Sequence, residues 1–188
     1  MDSGRHASDH KPSIFRRFLS FLIMVAVVGA WLLRSFVIEP FQIPSASMED
    51  TIKTGDMVFA EKVSYHFSDP EQGDIVVFSD PQVPSRTLIK RVIATEGQTV
   101  DLRDGKVYVD GVALDEPYTD GLPSYPLNTV GTVDISYPYT IPKGDVWVMG
   151  DNRTNSSDSR YFGPIDKDTV FGKAFAIYWP VESLAWIG

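Results

Sequence analysis

The chain has 188 residues, of which 43% are apolar and 22% charged, a mixture typical of a globular protein. It contains no cysteine, which excludes disulfides, thiolate metal sites and a cysteine nucleophile. The net charge is −8, and an acidic protein is a poor partner for nucleic acid, because neutralisation of phosphates supplies much of that affinity. We therefore expect no nucleic-acid partner.

The N-terminal region predicts a membrane anchor. An apolar run extends from Phe18 to Leu33, with arginines just before and just after it, and about 20 such residues span a bilayer. We place the anchor at residues 14–38 as a single transmembrane helix. The polar residues 1–13 then form a cytoplasmic tail, because basic residues before a span keep that end inside the cell. Residues 39–188 lie outside.

A cleaved secretory signal is the alternative reading of this apolar run. Small residues at Val28-Gly29-Ala30 stand where a cleavage site could lie. The run continues apolar beyond Ala30, which favours an anchor that stays in the membrane.

The rest of the chain predicts short strands rather than long amphipathic helices. Asp104-Gly105 and Asp110-Gly111 are turn signals, and the first predicts a hairpin. We expect a mainly β domain at residues 39–188, with a small cap inserted at about 104–143. The predicted strands are Met57–Lys62, Asp74–Phe78, Thr87–Thr95, Val100–Leu102, Lys106–Val109, Val146–Met149 and Lys173–Trp179.

Two serines in Ile43-Pro44-Ser45-Ala46-Ser47-Met48 follow the predicted anchor closely. Most serines in such loops only meet water, and a nucleophilic serine needs a base. Because the chain lacks cysteine and its body holds a single histidine, His66, lysine is the remaining common base.

Lys90 is the lysine best placed for that task. On a strand it shares one face with Leu88 and Val92, which puts its amine among apolar neighbours. Burial lowers the pKa of a lysine, and a neutral amine accepts a proton. The alternative is a lysine on an edge strand with its amine in water.

Four blocks in this order resemble the bacterial type I signal peptidases of the Ser-Lys kind, a family of membrane-bound serine endopeptidases. They are the Ile43–Met48 block, Gly73-Asp74-Ile75-Val76-Val77-Phe78, Ile89-Lys90-Arg91-Val92, and GDNRTNSSDSRYFGP from Gly150 to Pro164. The resemblance covers most of the chain after residue 20. It implies two antiparallel sheet systems, a catalytic domain and an inserted cap.

The same resemblance implies roles for individual residues. Ser47 is then the nucleophile, Lys90 the general base, and Ser45 a hydroxyl that helps to bind the oxyanion. Ser156 orients the lysine amine, while Asp158 and Arg160 hold the scaffold of the site. The residues implied for the pockets that take small substrate side chains are Phe41, Ile43, Ile52 and Ile89, for which simple core packing is the alternative.

The family removes signal peptides from exported preproteins at a bacterial cell membrane, cutting after small residues of the Ala-x-Ala type through an acyl-enzyme. The resemblance therefore implies preproteins and lipid as partners, no metal or other cofactor, and we expect a monomer.

Asp50 departs from the family pattern, because proline is usual there, and Thr154 stands where aspartate is common. The rival interpretations are a soluble self-cleaving repressor, a non-catalytic tethered β module and a histidine-based relative, the last disfavoured because Lys90 fills the position of the base.

Overall fold

The computed structural model of the chain describes residues 14–127 and 133–188 and contains two units, residues 1–36 and residues 37–188. The predicted tail at 1–13 lies outside the described residues, as does the part of the predicted cap at 128–132. In the first unit, helix α1 covers Ile14–Phe36. At 1.5 Å per residue it is about 35 Å long, and by length and composition it can cross a membrane.

The second unit is built from antiparallel strands. The strands and the one short α-helix are β1 Ile38–Gln42, β2 Met57–Glu61, β3 Ile75–Ser79, β4 Thr87–Thr95, β5 Thr99–Arg103, β6 Lys106–Val109, β7 Val112–Ala113, β8 Tyr139–Thr140, β9 Asp145–Met149, α2 Ser159–Phe162, β10 Ile165–Asp166, β11 Val170–Trp179 and β12 Ala185–Trp186. Single 3₁₀ turns lie at Ser64–His66, Pro117–Thr119, Lys167–Thr169 and Val181–Ser183. The mainly β, antiparallel fold class is confirmed.

Two sheets contain these strands. The large sheet has the order β1-β2-β11-β3-β4-β9-β10, with β12 paired to β11, and the small sheet has the order β7-β6-β5-β8. The small sheet uses residues between 99 and 140; β6, β7 and β8 lie within the stretch 104–143 where the sequence predicts a cap, whereas β5 lies just before it. β1 begins at Ile38, so α1 ends before the predicted limit of the anchor.

Alternation along β3 explains why the large sheet is covered on both faces. Ile75 and Val77 pack into one apolar cluster, whereas Val76 and Phe78 pack into a second cluster on the opposite face. β3 therefore reads as an unbroken apolar run. The residue paired with Val76 on β4 is Lys90, so this lysine sits in the interior of the large sheet.

The two Asp-Gly pairs form the turns of the small sheet. Asp104 and Asp110 have φ of 52° and 51°, and the glycines that follow them have φ of 75° and 80°. Two successive positive φ values are the requirement of a two-residue hairpin turn, which Asp-Gly meets well. The predicted hairpin between β5 and β6 is confirmed, since Arg103 pairs with Lys106.

Trp147 on β9 joins the two sheets, because it lies in a cluster with side chains of β4, β5 and β6 and is fully buried. We expect Trp147→Ala to lower the free energy of unfolding by about 3–5 kcal/mol, through lost burial and the cavity left behind. Urea unfolding of the purified chain measures this. Trp186→Ala is the matched control, since Trp186 is 81% exposed, and an equal loss in both variants would contradict the assignment of Trp147 to the core.

Candidate active site

Ser47 lies in a tight turn that follows β1. Met48 and Ile52 are fully buried in the cluster beside β3, and Ile52 N donates to Met48 O at 2.8 Å. These two side chains anchor the turn in the core, so that Ser47 between them and β1 is 8% exposed. Asp50, at the usual position of proline, is exposed and belongs to the same turn.

Lys90 approaches Ser47 from the middle of β4. Its Nζ lies 2.7 Å from Ser47 Oγ and 2.8 Å from the carbonyl oxygen of Ile89. The lysine is 2% exposed. The structure thus brings together two residues that are 43 positions apart in the chain, with the amine and the hydroxyl at hydrogen-bond distance.

Burial lowers the pKa of the Lys90 amine to about 8, and the charges of Asp158 and Asp151 act in the opposite direction without offsetting it. Loss of hydration disfavours the ammonium form. An amine of this pKa is partly neutral near neutral pH, so that it can accept a proton from Ser47.

The other buried cations of the site each have a carboxylate. Arg91 pairs with Asp151, Arg153 with Glu116, and Arg160 with Asp158. Among the described residues, no carboxylate lies within ion-pair distance of Lys90. With these three pairs formed, the Lys90 amine is buried and has no counter-ion among the described residues, which favours its neutral form.

Asp158 and Arg160 form a fully buried pair at the start of α2. Arg160 Nε and Nη2 donate to the Asp158 carboxylate at 2.9 and 2.8 Å, and Gly150 N donates to it at 3.0 Å. Burial acts to raise the pKa of Asp158, but Arg160 and these hydrogen bonds outweigh it, and the pKa lies below its usual value. This carboxylate therefore stays ionised and fixes the Gly150 backbone.

Gly150 allows the closest backbone approach in the site. A Cβ at this position would overlap both Ser156 Oγ and the carbonyl oxygen of Ser47. The Ser156 hydroxyl is buried and lies close enough to Asp158 to help lower the pKa of that carboxyl; the described partners of Lys90 Nζ are Ser47 Oγ and the Ile89 carbonyl oxygen, not Ser156. Ser45 is exposed beside the nucleophile position, and its hydroxyl lies 3.5 Å from Ser47 Oγ.

The four predicted pocket residues lie in one apolar cluster. Ile43, Ile52 and Ile89 are buried members of it, and Phe41 packs against its edge. The structure thus brings the four side chains together beside the Ser47 turn, where Ile43 and Ile52 also pack in the core.

The sequence analysis assigned no role to several charged residues that lie behind the Ser47–Lys90 pair. Asp151 Oδ2 accepts from Thr51 Oγ1 at 2.5 Å, within the Ser47 turn, and its two oxygens accept from Arg91 Nε and Nη2 at 2.9 and 2.8 Å. The signal for Asp151 is its place in the Gly150–Pro164 block. Nothing in the sequence indicates that Thr51 or Glu116 takes part.

Comparison with known proteins identifies the family. Residues 15–179 match the model of "Signal peptidase, peptidase S26". The chain is 43% identical to a probable signal peptidase I-1 of Synechocystis, over 89% of this chain and 84% of that one. It is 37% identical to signal peptidase I of Leptolyngbya laminosa, over 88% and 81%. A signal peptidase I structure from Enterococcus faecalis is 32% identical, over 56% and 97%, with a TM-score of 0.47.

The chain belongs to the signal peptidase family, peptidase S26. It is accordingly a serine endopeptidase, with signal peptidase I activity on the signal peptides of preproteins. The apolar helix α1 and the bacterial relatives together support a protein anchored in a membrane. In the described part of the chain, no group of three or more His, Asp or Glu side chains could hold a metal ion.

The pKa of Lys90 sets the pH dependence that we expect. Neutral amine increases as the pH rises through about 8, so kcat/KM for preprotein cleavage rises through the same range and is about a tenth of its maximum at pH 7. A pH profile of kcat/KM with the detergent-solubilised chain measures this. The assignment of the titrating group to Lys90 would be contradicted by a profile centred at about 6.5, the usual pKa of histidine, together with loss of activity in His66→Ala.

Proposed function

We propose that the chain removes signal peptides with a Ser-Lys dyad, in which Ser47 is the nucleophile and Lys90 the general base. The observation that carries this proposal is the 2.7 Å between Lys90 Nζ and Ser47 Oγ in a site where both residues are buried. A serine hydroxyl is a weak nucleophile until an adjacent base takes its proton. Lys90 meets the requirements of such a base: its Nζ lies within hydrogen-bond distance of Ser47 Oγ, its pKa is lowered, and no carboxylate among the described residues pairs with it.

The reaction proceeds in two halves. Neutral Lys90 takes the proton of Ser47 Oγ as this oxygen attacks the carbonyl carbon of the scissile bond. The carbon–nitrogen bond then breaks, the Lys90 ammonium protonates the leaving amine, and the signal peptide remains as an ester on Ser47. In the second half Lys90 takes a proton from water, the hydroxide attacks the ester, and the proton returns to Ser47.

Ser45 is proposed to donate to the oxyanion of both tetrahedral intermediates. Its exposed hydroxyl lies beside Ser47 Oγ, where the carbonyl oxygen of a bound substrate would be within reach. Donors of this kind contribute about 3–4 kcal/mol in other acyl-transfer enzymes. Ser156 is proposed to orient the lysine amine in the substrate complex, since in the structure Lys90 Nζ donates to Ser47 and Ile89 and not to Ser156. The Asp158–Arg160 pair holds the Gly150 backbone that packs against Ser47.

We propose cleavage after small residues of the Ala-x-Ala type. Phe41, Ile43, Ile52 and Ile89 form the apolar cluster beside the nucleophile, and its core is filled by its own side chains. In this proposal the surface of the cluster offers only shallow depressions, so that a methyl group of the substrate fits and a larger side chain does not.

The dyad is tested by Ser47→Ala and Lys90→Met in a preprotein cleavage assay with the detergent-solubilised chain. We expect each change to lower kcat by about 10³-fold or more, and Ser45→Ala to lower it by about 10²-fold. Lys90→Met should unfold at the same or a higher temperature, because it replaces a buried amine by an apolar side chain of similar length.

The matched controls are Ser68→Ala and Lys143→Met, both of exposed residues, and they should cleave at the normal rate. Full activity in Lys90→Met would place the base elsewhere. Loss of activity in that variant together with a collapse of its melting temperature would assign Lys90 a structural role.

The anchor is proposed to hold the catalytic unit on the outer side of a bacterial cell membrane, with the N-terminus in the cytoplasm. Support comes from the arginines that precede the apolar core of α1. In intact spheroplasts, added protease should digest residues 39–188 and spare an epitope fused to Met1. Digestion of the epitope with the body protected would reverse the orientation.

A further inference from the structure

One acidic segment between β7 and β8 contacts the back of the site. Glu116 lies just before the 3₁₀ turn Pro117–Thr119, and its Oε2 accepts from Arg153 Nη1 at 2.9 Å, while Oε1 makes a still shorter contact with Nη2. Ser124 Oγ lies 2.7 Å from the same Nη1. Arg153 is 2% exposed. Among the described residues, Glu116 is its only carboxylate partner and Ser124 its only hydroxyl partner.

Tyr118 lies against both arginines that flank Asp151. The centroid of its ring is 4.0 Å from the Arg91 guanidinium carbon and 5.9 Å from that of Arg153. Its hydroxyl donates to Glu116 Oε1 at 3.2 Å. Burial, with the charge of Glu116, raises the pKa of this phenol far above the working range, so the ring is neutral. A neutral ring over a desolvated guanidinium is an attractive cation–π contact.

Both arginines lead directly to the Ser47 turn. Arg91 follows Lys90 on β4 and holds Asp151, which accepts from Thr51 in the turn. Arg153 Nε donates to the carbonyl oxygen of Gly150 at 3.1 Å, and Gly150 is the residue packed against the Ser47 carbonyl. The strand β4, which carries Lys90, and the turn that carries Ser47 are therefore held by the same group of contacts.

We propose that Glu116 and Tyr118 form a clamp that sets the spacing of the Ser47–Lys90 pair, and that both are positioning residues for the reaction. This inference rests on the proposed function of that pair. Glu116 neutralises Arg153, which would otherwise be a buried cation beside Arg91. Tyr118 fills the space against both guanidinium groups, so that Asp151 and Gly150 stay fixed behind the turn.

The small sheet contains a matched control with the same chemistry. Arg103 pairs with Asp101 at 2.9 Å, and its guanidinium carbon lies 4.0 Å from the ring centroid of Tyr108. The Arg103 side chain is 52% exposed. Asp101→Asn and Tyr108→Leu therefore remove the same kinds of contact as Glu116→Gln and Tyr118→Leu, at a place with no link to Ser47.

The test measures kcat, KM and melting temperature of the full chain in detergent with a preprotein substrate. We expect Glu116→Gln and Tyr118→Leu to lower kcat by about tenfold or more and to change KM by less than about threefold, because a small misplacement of reacting groups costs rate. Tyr118→Phe keeps the ring and should keep most of the activity. Asp101→Asn and Tyr108→Leu should match the unmutated chain.

The double variant Glu116→Gln with Arg153→Met separates positioning from folding. Removal of both charges should restore the melting temperature, since no buried cation is left unpaired. It should leave kcat low, because Gly150 O has lost its donor. Recovery of kcat together with the melting temperature would overturn the inference, and so would normal kcat in folded Glu116→Gln or Tyr118→Leu.

A failure of the proposed Ser47–Lys90 dyad would give different results from a failure of the Glu116–Tyr118 clamp. If the unmutated chain does not cleave the preprotein, or if Ser47→Ala still does, the dyad itself is wrong. If the unmutated chain cleaves and depends on Ser47 and Lys90, while Tyr118→Leu equals Tyr108→Leu in kcat, only the clamp is wrong. Should Glu116→Gln fail to fold, the comparison of Tyr118→Leu with Tyr118→Phe decides.

Discussion

The site depends on a lysine amine that is buried without a carboxylate. The fold places Lys90 in the interior of β4, where hydration is lost and the pKa falls to about 8. A nearby anion at ion-pair distance would stabilise the ammonium, raise its pKa and leave too little neutral amine to accept a proton. The remaining architecture therefore has to surround the lysine with polar groups while keeping every negative charge engaged elsewhere.

One-to-one pairing of arginines with carboxylates solves this problem. Asp158 is held by Arg160, Asp151 by Arg91, and Glu116 by Arg153. Burial of an ion pair is costly, and such pairs often stabilise a fold no more than apolar side chains of the same volume. They also contribute local contacts, because Asp158 and Arg153 hydrogen-bond the Gly150 backbone and Asp151 accepts from Thr51 in the Ser47 turn.

Sequence patterns predicted the strands of four or more residues, apart from β1. β4 and β6 have the predicted bounds, and the Asp-Gly turns lie where expected. β7, β8, β10 and β12 were missed because each has only two residues, so their pairing depends on where the partner strand lies and leaves no periodic pattern. β1 was hidden because it follows the apolar helix directly and contains Pro40.

The candidate site was predicted unevenly for a related reason. Lys90 could be placed on an apolar strand face from its neighbours alone, but the roles of Ser45 and Ser156 came from resemblance to a family. The support of Asp151 by Thr51, 100 residues away in the chain, has no local signature. Whether a charged residue is buried depends on partners that the fold brings together. When these partners are far apart along the chain, no local stretch of sequence reveals them.

Burial of the charge pairs also determines how the site responds to its surroundings. Mobile ions screen exposed charges over about 8–10 Å at physiological ionic strength, but they screen buried pairs much less. Asp151, Arg153, Asp158 and Arg160 are each 2% exposed or less, and of the charges acting on Lys90 only Arg86 reaches well into solvent. The pKa of the lysine is therefore set mainly by groups inside the protein, and changes of salt concentration affect it little.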